Sequence, residues 1–295
     1  IEYAGESSAA KRERLAADLK KQGADAAVLS LPESIAWLLN LRGGDVPHTP
    51  LTLAQGILLN DGTVELFIDA RKLDGPARAH LGNAVIVRSP DEFTHALVAL
   101  GKSKKTVLVD PTASAAQVFN LLGDAGATIK RGDDPTLLPK ACKNATELAG
   151  MRAAHKRDGA AVTRFLHWLS QQPPGTVDEL QAAAQLQAFR RGDALIRDLS
   201  FTTISGSGPN GAIVHYRSTP KSNRMLLAGE FFLVDSGAQY LDGTTDITRT
   251  VAIGAVNAEM RDRFTRVLKG HIALGSAHFP VGTTGSQLDA LARLP

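Results

Sequence analysis

Two aspartates eleven positions apart, Asp235 and Asp246, carry the clearest chemical signal in this sequence. Asp235 closes the apolar run Phe231-Phe232-Leu233-Val234 and is followed by Ser236-Gly237-Ala238. Asp246 opens Ile247-Thr248-Arg249-Thr250, and a turn-rich stretch with Asp242-Gly243 lies between. If the two strands pair about a centre between Tyr240 and Leu241, the carboxylates stand directly opposite. Like charges so placed are unfavourable, and burial makes them more so. A divalent cation relieves both penalties, since carboxylates suit hard metals. A two-residue turn on Asp242-Gly243 would instead set Asp246 opposite Gln239. Both aspartates are also ordinary strand-end or turn residues in water, and spacing alone leaves these readings open.

Few other side chains invite chemistry. His215 sits in Gly208-Pro209-Asn210-Gly211-Ala212-Ile213-Val214-His215-Tyr216; on residue type alone it is a strand histidine satisfied by a neighbour. His155 and His271 fall on apolar helical stripes and are expected to pack in a core. His48 lies in a Pro-flanked loop and takes no assigned role. Cys142 is the single cysteine, so no intrachain disulfide forms, as in a reducing cytosol.

The elements that must position these residues divide into two textures. The first half alternates helix and strand: helices over 8–22, 32–40, 91–100 and 113–122, strands over 26–31, 84–88, 106–110 and 127–130. Asn60-Asp61-Gly62 marks a hairpin between 53–59 and 63–69. This predicts an α/β domain with a mixed sheet. Beyond Pro135 and Pro139, Asn144 and Glu147 form a capping box. A long helix follows, with Leu148, Met151, His155, Val162, Phe165 and Leu169 on one stripe. Thr176 and Glu179 suggest a second box, before a helix to Arg190. Strands and glycine-rich turns start at Phe201. Asn257 to His278 is helical with Met260, Phe264, Val267, Leu268 and His271 on one face, and Thr284 and Gln287 cap a last helix.

The segment from Asp235 through Asp246-Ile247-Thr248-Arg249-Thr250 resembles the metal-binding hairpin of the pita-bread metallopeptidases, which include Xaa-Pro aminopeptidases, prolidases, methionine aminopeptidases and creatinase. The resemblance implies that Asp235 chelates one metal and Asp246 bridges two. It also implies that His215 is a catalytic, substrate-side histidine near the scissile peptide. The stretches Ser34 to Pro50, Gly208 to Thr219 and Phe264 to His271 are similar to the long, cytosolic-type Xaa-Pro aminopeptidases, and the likeness runs along the whole chain. The expected fold is therefore a creatinase N-terminal-like mixed-sheet domain, residues 1–140, followed by the first half of a pita-bread α+β catalytic domain, residues 141–295. The implied activity is release of the first residue from peptides with proline at position two, in the cytoplasm, with two divalent ions, manganese by analogy; homodimers are common in the family. A prolidase-type dipeptidase and a non-catalytic pita-bread binding module are the alternative readings.

The family's remaining ligands, one His and two Glu, lie further along than Pro295, so this chain alone is expected to be inactive. Half of a pita-bread fold should also leave an apolar inner face uncovered. The start at Ile1, with no initiator Met, suggests a longer product, and it shows no signal-peptide pattern.

Composition narrows the classes further. Hydrophobic residues make up 43% and charged residues 21% of 295, an ordinary globular balance. The net charge of +3 is dispersed, and the densest basic stretch, Lys11 to Lys21, reads as a solvated helix face rather than a nucleic-acid patch. With 5% aromatics there is little for bases to stack on. No apolar run reaches the roughly 18 residues of a membrane span.

Overall fold

The computed structural model describes all residues, Ile1–Pro295, which fall into two compact units. Unit 1 holds Ile1–Arg157, Leu195–Phe201 and Ala238–Thr245; unit 2 holds Asp158–Ala194, Thr202–Gly237 and Asp246–Pro295.

In unit 1 the chain runs α1 (Ser8–Lys21), β1 (Ala26–Leu29), α2 (Pro32–Leu39), β2 (Gln55–Leu59), β3 (Val64–Phe67), α3 (Gly75–Leu81), β4 (Val85–Arg88), α4 (Glu92–Lys102), β5 (Thr106–Val109), α5 (Ala116–Asp124), β6 (Thr128–Arg131) and α6 (Leu137–Ala141). The strands form one sheet in the order β4-β3-β2-β1-β5-β6. β1 is antiparallel to β2 and parallel to β5, so the sheet is mixed, as the sequence predicts. Its central strand, Ala-Ala-Val-Leu, is buried at every position because helices cover both faces. Leu15, Leu19, Ile35 and Leu38 pack on one face; Phe93, Leu97, Val118 and Leu122 pack on the other. The basic stretch is not wholly a solvated face. Lys11 is 1% exposed, its Nζ donating to the Trp37 carbonyl at 2.9 Å and to Asn40 Oδ1 at 2.8 Å.

α7 (Ala145–Ser170) starts at the predicted capping box, with Glu147 N donating to Asn144 Oδ1 and Asn144 N donating to Glu147 Oε2. Its first half belongs to unit 1. A small sheet in the same unit, ordered β11-β10-β7, joins β7 (Ile196–Leu199), β10 (Ala238–Tyr240) and β11 (Gly243–Thr244).

Unit 2 contains the rest of α7, α8 (Glu179–Arg190), β8 (Ile204–Ser207), β9 (Glu230–Ser236), β12 (Ile247–Ile253), α9 (Ala258–Gly275) and α10 (Gly285–Arg293). Its antiparallel sheet is ordered β12-β9-β8. Val162, Phe165 and Leu169 of α7, Ala182 and Leu186 of α8, and Phe232 and Val234 of β9 make the core. The box at the start of α8 is Asp178 with Gln181, not Thr176 with Glu179; the Glu179 side chain turns inward instead. Both predicted core histidines are exposed. His155 donates from Nδ1 to the Met151 carbonyl of its own helix at 2.8 Å. His271 lies on α9, whose apolar residues Phe264, Val267, Leu268 and Ile272 are 42–73% exposed. The stripe is real but only partly covered: Phe264 stacks on Phe231 at 5.7 Å between ring centroids and Gly270 lies against Ala292 of α10, while Val267 and Ile272 stay open.

Candidate metal centre

β9 alternates inside and outside. Phe232, Val234 and Ser236 are buried, and the intervening residues, Asp235 among them, face the other way. Asp235 is held on the central strand, opposite Thr248 of β12 and Ile204 of β8. The hairpin closes on Leu241-Asp242: Tyr240 pairs with Gly243, Gln239 with Thr244, and Ser236 with Ile247. This corrects both sequence-derived registers. Asp246 is neither directly opposite Asp235 nor opposite Gln239. It lies two residues before Thr248, on Asp235's face of the ladder and diagonal to it, which is within side-chain reach.

Local packing fixes the turn. A Cβ on Gly150 would collide with the Asp242 carbonyl, and one on Gly243 would meet Met151 and Ala154 at 3.0 Å. Only glycines allow the turn to sit this close to α7. Arg157 of α7 is salt-bridged to the Asp242 carboxylate and lies over the Tyr240 ring, 5.3 Å from its centroid.

The electrostatics of the pair are one-sided. Asp235 Oδ1 is buried and accepts no hydrogen bond. Partial burial, then the Asp235 charge, then a side-chain hydrogen bond with Asp235 push the Asp246 carboxyl above the usual carboxylate range. A raised carboxyl pKa means that folding is favoured below the ordinary carboxylate range and disfavoured as pH climbs through it, so at neutral pH the pair works against the fold. One orphaned anionic oxygen beside a second carboxylate suits a hard cation. No third His, Cys, Asp or Glu joins them, so the two carboxylates alone offer fewer donors than a hard cation takes.

Behind the strand, Arg190 of α8 is salt-bridged to Asp158 of α7 (2.6 Å), both side chains fully buried, and its Nη2 donates to Ser236 Oγ at 3.0 Å. This network, which the sequence reading missed, fastens the residue next to Asp235. Asp158 lies three positions after His155 and four before Val162, on the apolar stripe of α7, and a carboxylate on that stripe is the signal that could have found it.

His215 is exposed in a turn after a short 3-10 segment, Gly208–Ala212, rather than in a strand. Its φ of 54° is left-handed, unusual for a residue with a side chain. The next residue, Tyr216, is buried, and burial raises its hydroxyl pKa. His48 also has a left-handed φ, 62°; its Nδ1 lies 3.2 Å from Asp198 Oδ2 and its carbonyl accepts from Gln239 Nε2.

Residues 1–147 match the Creatinase/Prolidase N-terminal domain and residues 149–294 match metallopeptidase family M24. A Laccaria bicolor protein named "Probable Xaa-Pro aminopeptidase P" is 43% identical over 99% of this chain and 46% of its own length. A protein of that name from Aspergillus niger is 40% identical over 99% of this chain and 49% of its own length. The chain thus spans about half the length of the curated relatives it matches. Among solved structures, X-prolyl aminopeptidase from Caenorhabditis elegans, described as a cytosolic enzyme with a di-nuclear active site, superposes with a TM-score of 0.89 at 36% identity, covering 99% of this chain and 49% of that one. Xaa-Pro dipeptidase from Bacillus anthracis shares the fold at a TM-score of 0.72 and 20% identity, over 97% of this chain and 76% of its own. With the two models meeting end to end along almost the whole sequence, the chain belongs to metallopeptidase family M24, with a creatinase/prolidase N-terminal domain ahead of its M24 region.

Proposed function

We propose that this chain is part of a cytoplasmic Xaa-Pro aminopeptidase, residues 1–140 forming the N-terminal-type domain and 141–295 part of the catalytic one. The observation that carries the reading is the buried, unpartnered Asp235 Oδ1 beside the raised carboxyl of Asp246. In this reading Asp235 and Asp246 are metal ligands, and His215 meets the peptide. Two divalent ions, manganese in our reading, would supply an activated water and offset the charge that develops on the carbonyl oxygen. The chain's own contribution is placement. β9 and β12 hold the two carboxylates diagonally across one ladder, and the exposed His215 ring is free to donate to a peptide oxygen. The substrate is a peptide with proline at position two, and the enzyme acts as a homodimer.

The test is hydrolysis of an Xaa-Pro peptide with added manganese by the full-length protein and by the 295-residue chain. The full-length protein cleaves and the 295-residue chain does not. Asp235→Asn and Asp246→Asn in the full-length protein each lower kcat/KM by at least about 10²-fold, the order expected when transition-state charge stabilisation is lost. Cleavage by the 295-residue chain alone would place the missing ligands within it and overturn this assignment.

A further inference from the structure

Glu179 is the first residue of α8 and 0% exposed. No lysine, arginine or histidine is salt-bridged to it. Buried carboxylates without a cation are costly unless their lone pairs are filled. Here neutral donors fill them. Oε1 accepts from the Ser207 backbone N–H at 2.7 Å and from Asn210 Nδ2 at 2.9 Å. Oε2 accepts from the Tyr216 hydroxyl at 2.9 Å and from the Arg224 backbone N–H at 3.3 Å. The backbone adds to the hold: Glu179 N donates to the Arg224 carbonyl at 3.0 Å, and Ser205 Oγ donates to the Glu179 carbonyl at 2.7 Å.

These donors are not scattered. Ser207 precedes the Gly208–Ala212 segment, Asn210 lies within it, and Tyr216 follows His215 directly. One carboxylate therefore gathers the start, the middle and the end of the loop that carries His215. The loop has something to resist. A non-glycine residue at a φ of 54° is strained and persists only where its surroundings over-determine it. Tyr216 supplies the leverage, being 7% exposed with its ring anchored and its hydroxyl bound.

We propose that Glu179 is a positioning residue that sets the His215 turn through Ser207, Asn210 and Tyr216. The functional part of this inference rests on the role given to His215 above. A carboxylate is the group that suits the task, since it is acceptor-only at both oxygens. In Glu179→Gln one oxygen becomes an NH2 facing N–H and O–H donors, whichever way the amide turns. Tyr216→Phe keeps the buried ring and removes the hydroxyl that meets Glu179, Asn210 and Ser222, so it reports even if Glu179→Gln fails to fold.

The experiment uses the full-length protein and has two arms. Hydrogen exchange, read by mass spectrometry, should rise about tenfold in peptides covering 208–216 in both variants, with the β9 and β12 peptides unchanged. In the kinetic arm, Glu179→Gln should lower kcat for an Xaa-Pro peptide by about 10²-fold with manganese affinity unchanged, as misplacement of a group by about 1 Å does. In a His215→Ala background the same change should cost no more than about threefold, since residues acting as a unit are not additive. Unchanged exchange over 208–216 in Tyr216→Phe overturns the proposal, and so does an equal loss of kcat in both backgrounds. If the unsubstituted full-length protein cleaves no Xaa-Pro peptide, the aminopeptidase reading fails, and the exchange arm still decides whether Glu179 holds the turn.

Discussion

Asp235 and Asp246 gain their meaning from each other. Each alone is an ordinary strand-end acid; together they leave one buried oxygen without a donor and one carboxyl held above its usual range. Removing one charge should therefore help the bare fold. In chelator at neutral pH, Asp246→Asn should raise the stability of the chain by up to about 1 kcal/mol, a figure kept small because Asp246 is largely exposed. Manganese should raise the melting temperature of the unsubstituted chain and not that of the variant, a comparison that thermal denaturation makes directly. The pair was legible in the sequence because carboxylates at the ends of two apolar runs are conspicuous. Glu179 was not. A glutamate in the first turn of a helix is so common as a cap partner that its inward turn could only be seen once Asp178 and Gln181 were found forming the box.

At the scale of elements, most helices and strands of the first half were readable because apolar periodicity and turn residues agreed; the short α3 and α6, of seven and five residues, carry too little periodicity to be seen. The hairpin register was not. Registers that differ by two residues keep every side chain on its own face, so the inside–outside pattern of β9 and β12 cannot choose among them. The choice is made by tertiary packing, in which Gly150 and Gly243 let the Leu241-Asp242 turn sit close to α7 and Arg157 holds Asp242. A second packing device, the Asp158–Arg190 pair, joins α7 to α8 with both side chains fully buried. Asp158→Ala strands a buried guanidinium, a loss of about 3–5 kcal/mol. Urea unfolding followed through Trp168, which packs against the unit 2 core, should show the midpoint falling accordingly.

At the scale of the molecule, the sequence rightly marked an apolar stripe on α9 and wrongly supplied it with a core. Phe264, Val267, Leu268 and Ile272 remain open, with Val281 and Leu294 also exposed. Large apolar side chains gathered on one exposed helix face suit a contact surface. Periodicity shows that a helix has an apolar face, but not which partner covers it. The 295-residue chain should bind a hydrophobic dye such as ANS and self-associate in analytical ultracentrifugation. Val267→Lys with Ile272→Lys should reduce both effects and leave the melting temperature within about 2 °C, since exposed substitutions cost little. The full-length protein should bind less dye than the 295-residue chain.

The short span between Asp235 and Asp246 also bears on the order of events during folding. Ends eleven positions apart close at small entropic cost, and hairpins form within about 1–10 μs. The two carboxylates therefore come within reach of each other before packing on α7 selects the final register, and their repulsion falls on the climb toward the transition state. A cation that relieves it would speed folding more than it slows unfolding. In that sense the ligand would act first as a nucleator, present at the birth of the hairpin it later occupies.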